Sequence, residues 1–423
     1  MSTYHQFTLD EWLYFLENRH RKEIQLGLSR IRVVANRLNL ITFDAQIITV
    51  AGTNGKGSTV AALAAIYQTA GYQVGCYTSP HLLKFNERIQ VNQQSISNES
   101  LCSAFAAIEE IRGEIELTYF EMVTLAALWY FKPLKLDIII LEVGMGGRQD
   151  ATNIIDADLA IITTIDLDHQ EHLGNSKEAI GYEKAGILRA NKPFVYADSN
   201  PPLSIINESM RLDAPMYCMD KDYFFNTSNA CFRMVFPNGK TIELPCPSIN
   251  HKAAAAALMA SDVLNHVLPV KFACLYQAVQ NVRIAGRQHV IHENVITILD
   301  VAHNPQAVAS LVDFIHQFQT KKNVYAVFSA LQDKDLCGLI KPMSSCVDFW
   351  YPALLTGKRA ATKSTLMKAF REAIHDEPPC FENPLDAYRG ACKQAESNDV
   401  IIVYGSFLTV HAILSAKYHC RDG

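Results

Sequence analysis

Residues 47–58 read IITVAGTNGKGS, and this stretch decides the fold. Ile47 to Val50 have the branched, apolar character of a buried strand. Glycines at 52, 55 and 57 make a turn, and an Ala-rich helix is expected from Ser58 to Thr69. Glycine lets backbone N–H groups approach phosphate oxygens closely, and a helix N-terminus adds its positive dipole end. Lys56 supplies a point charge for the terminal phosphates, and Ser58 a hydroxyl for Mg²⁺. The turn departs from the usual G-x-x-x-x-G-K-[ST]. Gly57 separates Lys56 from Ser58, and Val50 stands where the first glycine would fall. This is a nucleotide-binding loop, but not the common GTPase or kinase form.

The surrounding chain alternates in the manner of a parallel α/β sheet. Thr8 caps a helix to Glu17 that places Leu9, Trp12, Leu13 and Leu16 on one face, and a second amphipathic run covers Ser29 to Leu38. Strands are expected at 74–78, 136–141 and 159–163, with a helix at 119–131. Asn238-Gly239 between apolar runs signals a hairpin, and 250–264 returns to helix. Arg283 to Arg287 reads as a short hinge. Beyond it, strands at 295–299, 324–328, 347–351 and 399–403 alternate with helices at 305–318 and 407–414. The fold class is α/β: a large P-loop parallel-sheet ATP-binding domain with a short β region over 1–285, and a smaller Rossmann-like C-terminal α/β domain over 288–423.

Composition narrows the function. The chain has 423 residues, 49% of them hydrophobic and 19% charged, with a net charge of −5. Such a chain can bury cores and carries no basic field for nucleic acid. Its 11 cysteines are scattered with no C-x-x-C pair, which argues against a disulfide framework or a zinc site. No signal-peptide pattern and no apolar run of about 18 residues is present. A soluble cytoplasmic protein with no membrane partner is expected.

Glu142 follows the apolar run Ile138–Leu141 and precedes the glycine-rich VGMGGRQDATN of 143–153, a loop read as flexible that carries Arg148 and Asp150. At the carboxyl end of a parallel strand it is a candidate metal ligand. His169, just past the next strand, reads as structural when taken alone. Lys184 alone reads as a surface lysine.

The ordered set GTNGKGS (52–58), SPHLLKFNERI (79–89), TYFE (118–121), LEVGMGGRQDATN (141–153), DH (168–169), EKAGI (183–187), GRQ (286–288), DVAHNP (300–305) and YGS (404–406) resembles the folylpolyglutamate synthase family of ATP-dependent Mur-type ligases. It covers nearly the whole chain and looks closest to the bifunctional bacterial branch. The resemblance implies two Mg²⁺ ions held by Ser58, Ser79, Glu142 and His169, and Lys184 carried as N6-carboxylysine. It puts Thr53, Asn54, Gly55, Lys56, Gly57 and Ser58 on ATP, with Asn250 at the adenine, Arg287 at a phosphate and Asp300 at the nucleotide. It puts Thr118, Tyr119, Phe120, Glu121, Asp150 and Ala151 in a pterin pocket, with Phe120 stacked on the ring and Asn18, Arg19 and His20 closing over it. Helix core is the plain alternative for Tyr119 and Phe120. His303 is a candidate for the glutamate side, with a structural role equally open. K⁺ is a further candidate cofactor.

The activity so implied joins L-glutamate to dihydropteroate, forming dihydrofolate, and to tetrahydrofolate (poly)glutamates through an acyl phosphate. ATP would lie between the phosphate loop and Asp300, with closure about 285–287 excluding water. The alternatives are folylpolyglutamate synthesis alone, another Mur-type amino-acid ligase, or a non-catalytic ATP-binding module. About 45 residues precede the loop, too few for the uridine-nucleotide domain of a cell-wall ligase. A monomer is expected.

Overall fold

Continuous branched runs between glycine turns become strands, and the amphipathic runs between them become the helices that cover the sheet. The computed structural model describes residues 6–19, 25–228, 231–316, 318 and 322–419. The chain divides between Val282 and Arg283 into two units.

The first unit opens with helices α1 (Leu9–Arg19) and α2 (Ser29–Arg37), then β1 (Gln46–Ala51), α3 (Lys56–Thr69) and β2 (Val74–Tyr77). Thr8 caps α1 reciprocally: Glu11 N–H donates to its hydroxyl, and Thr8 N–H donates to the Glu11 carboxylate at 2.7 Å. Short strands β3 (Ile89–Val91) and β4 (Gln94–Ser95) precede α4 (Asn98–Arg112) and α5 (Tyr119–Phe131). The chain continues through β5 (Ile138–Glu142), β6 (Leu159–Ile162), α6 (Gln170–Leu173), α7 (Lys177–Ala185), β7 (Phe194–Tyr196), α8 (Leu203–Arg211) and β8 (Met216–Cys218). These strands form one sheet in the order β4-β3-β2-β5-β1-β6-β7-β8, parallel from β2 to β8. Strands β9 (Phe224–Ser228), β10 (Cys231–Val235) and β11 (Thr241–Leu244) form a separate antiparallel sheet with the expected hairpin. Helices α9 (His251–Val263) and α10 (Phe272–Asn281) follow and pack on α3. Ala253 to Ala257 are all buried, so this run is a close-packed face.

Two boundaries differ from the sequence reading in ways that matter. Helix α3 starts at Lys56 rather than Ser58, because Gly55 (φ +89°) takes the left-handed cap position. Glu142 is the last residue of β5, paired beside Val50, rather than the first residue after it. Trp12, Leu16, Val34, Phe105 and Leu125, from α1, α2, α4 and α5, share a buried core with Ile139 and Leu141 of the sheet.

In the second unit, β12 (His289–His292), β13 (Ile296–Leu299), α11 (Pro305–Ile315), β14 (Val324–Phe328), α12 (Leu336–Ile340), β15 (Phe349–Pro352), α13 (Lys363–Ile374), α14 (Pro384–Gln394), β16 (Val400–Tyr404) and α15 (Phe407–His419) alternate. The sheet order is β12-β13-β16-β14-β15, parallel except for β12 at one edge. No helix among the described residues is long and apolar enough to cross a membrane.

Candidate active site

Register fixes the site before any side chain does. Tyr77 pairs with Leu141, Val50 with Glu142 and Ala51 with Ile162. The chain therefore leaves β2, β5, β1 and β6 at one edge of the sheet, where open α/β sheets bind ligands. The phosphate loop, Ser79, Glu142 and the 163–169 segment all emerge there.

The phosphate loop is held by the chain that leaves β6. Thr53 N–H donates to Thr164 O at 2.7 Å, and the Thr53 hydroxyl donates to Asp166 O at 3.1 Å and accepts from Asp166 N–H at 3.0 Å. Asn54 N–H donates to the Thr164 hydroxyl at 3.2 Å. A Cβ on Gly52 would collide with the Thr163 side chain, so only glycine allows this approach. Lys56 Nζ folds back onto the Gly52 and Thr53 carbonyls at 3.0 and 3.2 Å.

Ser58 and Glu142 are both buried, and the Glu142 carboxylate oxygens lie 3.8 and 3.9 Å from where a Cβ on Gly57 would sit. Ser79 N–H donates to Glu142 Oε2 at 3.2 Å. The segment carrying Ser79 is organised by Glu87, whose carboxylate accepts from the N–H groups of Leu82, Leu83 and Lys84. Among the described residues no three His, Cys, Asp or Glu side chains converge as a metal cage. One carboxylate with serine hydroxyls is instead a hard-oxygen donor set. It fits Mg²⁺, which keeps waters and takes phosphate oxygens rather than filling an all-protein cage.

His169 (φ +50°) has a part-exposed side chain, with Nε2 3.9 Å from Asp168 Oδ2. Lys184 is not a surface residue: it is buried near the end of α7. Burial first, then the like charge of Lys56, pushes its ammonium down to about 7, while Asp168 and Asp150 oppose the shift.

The glycine-rich 143–153 segment is tied down rather than loose. Asp150, also buried, accepts from Met145 N–H at 2.9 Å, Thr152 N–H at 3.0 Å and the Thr152 hydroxyl at 2.7 Å, capping the turn that starts at Ala151. Arg148 N–H donates to Glu183 O at 2.7 Å, and the Arg148 guanidinium stacks on Tyr182 and pairs with Glu208.

The expected pocket residues lie in several different settings. Thr118 and Glu121 form a capping box at the start of α5, and Glu121 also pairs with Arg30 at 3.1 Å. Phe120 packs over Gly144, with its ring centroid 6.0 Å from Tyr77, and Tyr119 meets Phe85 edge-on. Arg19 bridges α1 to the Glu109 carboxylate and to Leu117 O, while Asn18 donates to Tyr14 O. His20 lies outside the described residues. Asn250 caps α9, accepting from Ala253 N–H at 3.2 Å.

In the second unit the GRQ, DVAHNP and YGS runs come together. Asp300 accepts from Gln288 N–H and Ala302 N–H, both at 2.8 Å, and Gly405 N–H donates to Ala302 O. Burial raises the Asp300 carboxyl, and the charge of Arg287 opposes this. Arg287 lies over Phe407, and His303 Nδ1 is 2.9 Å from Val301 O. The sequence reading missed Thr164, Asp166, Glu87 and Arg88. The TTIDLD and NER runs contain them, but their partners are mostly backbone atoms that only the fold reveals.

Comparison with known proteins bears on the family and the fold. The Mur ligase middle domain matches residues 50–213, and the Mur ligase, glutamate ligase domain matches 286–407. The chain is 38% identical to the dihydrofolate synthase/folylpolyglutamate synthase of Escherichia coli K12, over 98% of its own length and 97% of that protein. The solved structure of Escherichia coli FolC in complex with DHPP and ADP matches with a TM-score of 0.94 at 38% identity, covering 99% of both chains. That of the bifunctional folylpolyglutamate synthase/dihydrofolate synthase of Yersinia pestis, complexed with AMPPNP and Mn ion, matches with a TM-score of 0.92 at 41% identity, covering 99% of this chain and 100% of that one. The chain belongs to the dihydrofolate synthase/folylpolyglutamate synthase family of Mur ligases.

Proposed function

We propose that this chain is an ATP-dependent ligase that joins L-glutamate to dihydropteroate and to tetrahydrofolate (poly)glutamates. The observation that carries this reading is the buried Glu142 carboxylate, bonded to Ser79 N–H and set beside Gly57 of the phosphate loop. A phosphate loop with an acidic metal ligand at its tail is built to transfer a phosphoryl group. We also place the protein in the cytoplasm, supported by described cysteines that are all free.

Forming an amide from a free carboxylate near pH 7 requires that one oxygen become a leaving group. Phosphoryl transfer from ATP makes an acyl phosphate. The glutamate amine then attacks the carbonyl, and phosphate departs. Both phosphoryl-transfer partners are anions, so positioning and positive charge carry the rate. The loop N–H groups and Lys56 hold the phosphates. Bound Mg²⁺, with Ser58, Ser79, Glu142 and His169 as its ligands at two positions, would neutralise the triphosphate charge. Phe120 offers its ring as a stacking platform for the pterin. Arg287 and Asp300 are the nucleotide contacts of the second unit, Asn250 the adenine-side residue and His303 the glutamate-side candidate.

Lys184 is the modified residue in this reading. A buried cation beside Lys56 is electrostatically unfavourable, and an amine that titrates near pH 7 is partly neutral in the cell. The neutral amine adds to CO₂, forming an N–C bond and releasing one proton, and the cation becomes an anionic carbamate. The neutral fraction falls as pH drops below 7, so activity under limiting CO₂ should fall there and recover on adding bicarbonate.

ADP release by the purified protein is expected only when L-glutamate and either dihydropteroate or tetrahydrofolate monoglutamate are both present. Release that ignores the omission of either partner would refute the ligase reading. Lys184→Ala should lower turnover about 10–100-fold. Near-normal rates with and without CO₂ would remove the carbamate from the mechanism.

A further inference from the structure

Arg88 is a cation with a place in the site and no role in anything above. It sits at the end of the segment that begins at Ser79, and only 9% of its surface is exposed. Its guanidinium lies over two rings, Phe85 at 5.3 Å and Tyr119 at 5.8 Å. Nε–H donates to His81 Nδ1 at 3.0 Å, which requires a neutral imidazole with its proton on Nε2. Among the described residues no carboxylate pairs with Arg88. Among the described residues its two terminal amino nitrogens have no hydrogen-bond partner, and neither is sealed off from solvent.

Burying a guanidinium without an anion is costly, and proteins rarely do so unless a ligand brings the charge. The other buried or half-buried arginines described in this unit are paired: Arg19 and Arg112 with Glu109, Arg30 with Glu121, Arg148 with Glu208, Arg189 with Asp156. Arg88 is the exception, and it stands beside Tyr119, next to the Phe120 platform, on the segment that carries Ser79 to Glu142. An acid with its ring on Phe120 and its carboxylate turned toward Arg88 would bring the missing charge.

We propose that Arg88 binds a carboxylate of the acceptor acid, its two amino groups donating in parallel to the two oxygens. A planar fork already oriented by His81 and two aromatic faces suits a carboxylate better than a freely rotating ammonium does. The ring contacts restrict the guanidinium before the ligand arrives, which lowers the ordering cost of binding.

This inference rests on the ligase reading, and its test is separable from that reading because it compares variants with a wild-type enzyme already shown to turn over. Dihydropteroate and its methyl ester, which has no negative charge, are titrated into wild type and Arg88→Gln at equilibrium without ATP. Wild type should bind the acid at least about tenfold more tightly than the ester, and Arg88→Gln should lose that preference. Arg88→Lys should keep part of it. In turnover, the acceptor KM of Arg88→Gln should rise about tenfold or more while the ATP KM stays within about twofold. Dihydropteroate and tetrahydrofolate monoglutamate are assayed in parallel. A rise for both is expected, because dihydropteroate carries only the reacting carboxylate, and a rise for the monoglutamate alone would overturn the proposal. If Arg88→Gln weakens acid and ester equally, or raises the acceptor and ATP KM values together, Arg88 is a structural clamp and the proposal fails.

Discussion

Glu142 and Asp150 are two buried carboxylates on the same edge of the same sheet, a short loop apart, and their surroundings give them opposite work. Asp150 spends both oxygens on its own loop, accepting from Met145 N–H, Thr152 N–H and the Thr152 hydroxyl. Glu142 ends a strand, takes Ser79 N–H from a neighbouring loop, and lies against Gly57 at the start of α3. A carboxylate saturated by local donors shapes a loop. One that receives its donor from a distant segment at a convergence of loops is placed for a ligand. Burial alone does not separate the two cases, because both are almost fully covered.

Substitution at each position should break the pair apart. Glu142→Gln keeps the shape and removes the negative charge, so turnover should fall on the order of 10²–10³-fold, as loss of a metal-directed charge does. The thermal midpoint should barely move. A variant that unfolds early instead would make Glu142 a structural residue like its neighbour.

Asp150→Asn should do the reverse. One oxygen becomes an NH₂ that faces a backbone N–H or the Thr152 group, leaving a buried donor unsatisfied. That costs about 1–3 kcal/mol, read as a lower midpoint of thermal or denaturant unfolding. The same change would loosen the turn at Ala151 and lower activity through displacement of the loop. If Asp150→Asn kept full stability while losing affinity for the pterin acid, the carboxylate would be a substrate contact after all.

How far the sequence could see follows the same division. The branched runs that became β1, β5 and β6 were legible because a parallel sheet buried on both faces demands them. The phosphate loop was legible because its glycines do a backbone task that few other patterns allow. The adjacency of Ser79 and Glu142, and the emergence of the 163–169 segment at the same sheet edge, were not, since they depend on the order β2-β5-β1-β6, which no local pattern encodes. Thr118 and Glu121 could have been read as a capping box ahead of an apolar run, a local signal that the pocket assignment overshadowed. Helix α4 was missed, although Leu101, Ala104, Phe105 and Ile108 recur at helical spacing behind Ser97, which caps it. Asp150 and Arg88 owe their meaning largely to backbone N–H groups and aromatic faces, of which residue identity carries no trace.

The smallest expected effect tests whether the phosphate loop is as dependent on its neighbour as the geometry implies. Thr164 accepts from Asn54 N–H through its hydroxyl, while its backbone carbonyl takes Thr53 N–H. Thr164→Val preserves the branched shape and the carbonyl but removes the hydroxyl. The hydroxyl's two bonds to Asn54 are lost, the N–H it accepts at 3.2 Å and a long one it donates to Asn54 O at 3.4 Å, together worth about 1 kcal/mol because the hydrogen bonds through Thr53 persist. That energy corresponds to about a fivefold rise in ATP KM if the loop must be re-ordered on binding. The acceptor KM should not change, since the Thr164 hydroxyl holds the nucleotide loop and not the Phe120 side. A change confined to the acceptor would mean that the chain leaving β6 serves the acid rather than the phosphates, and that Asn54 is held by something else.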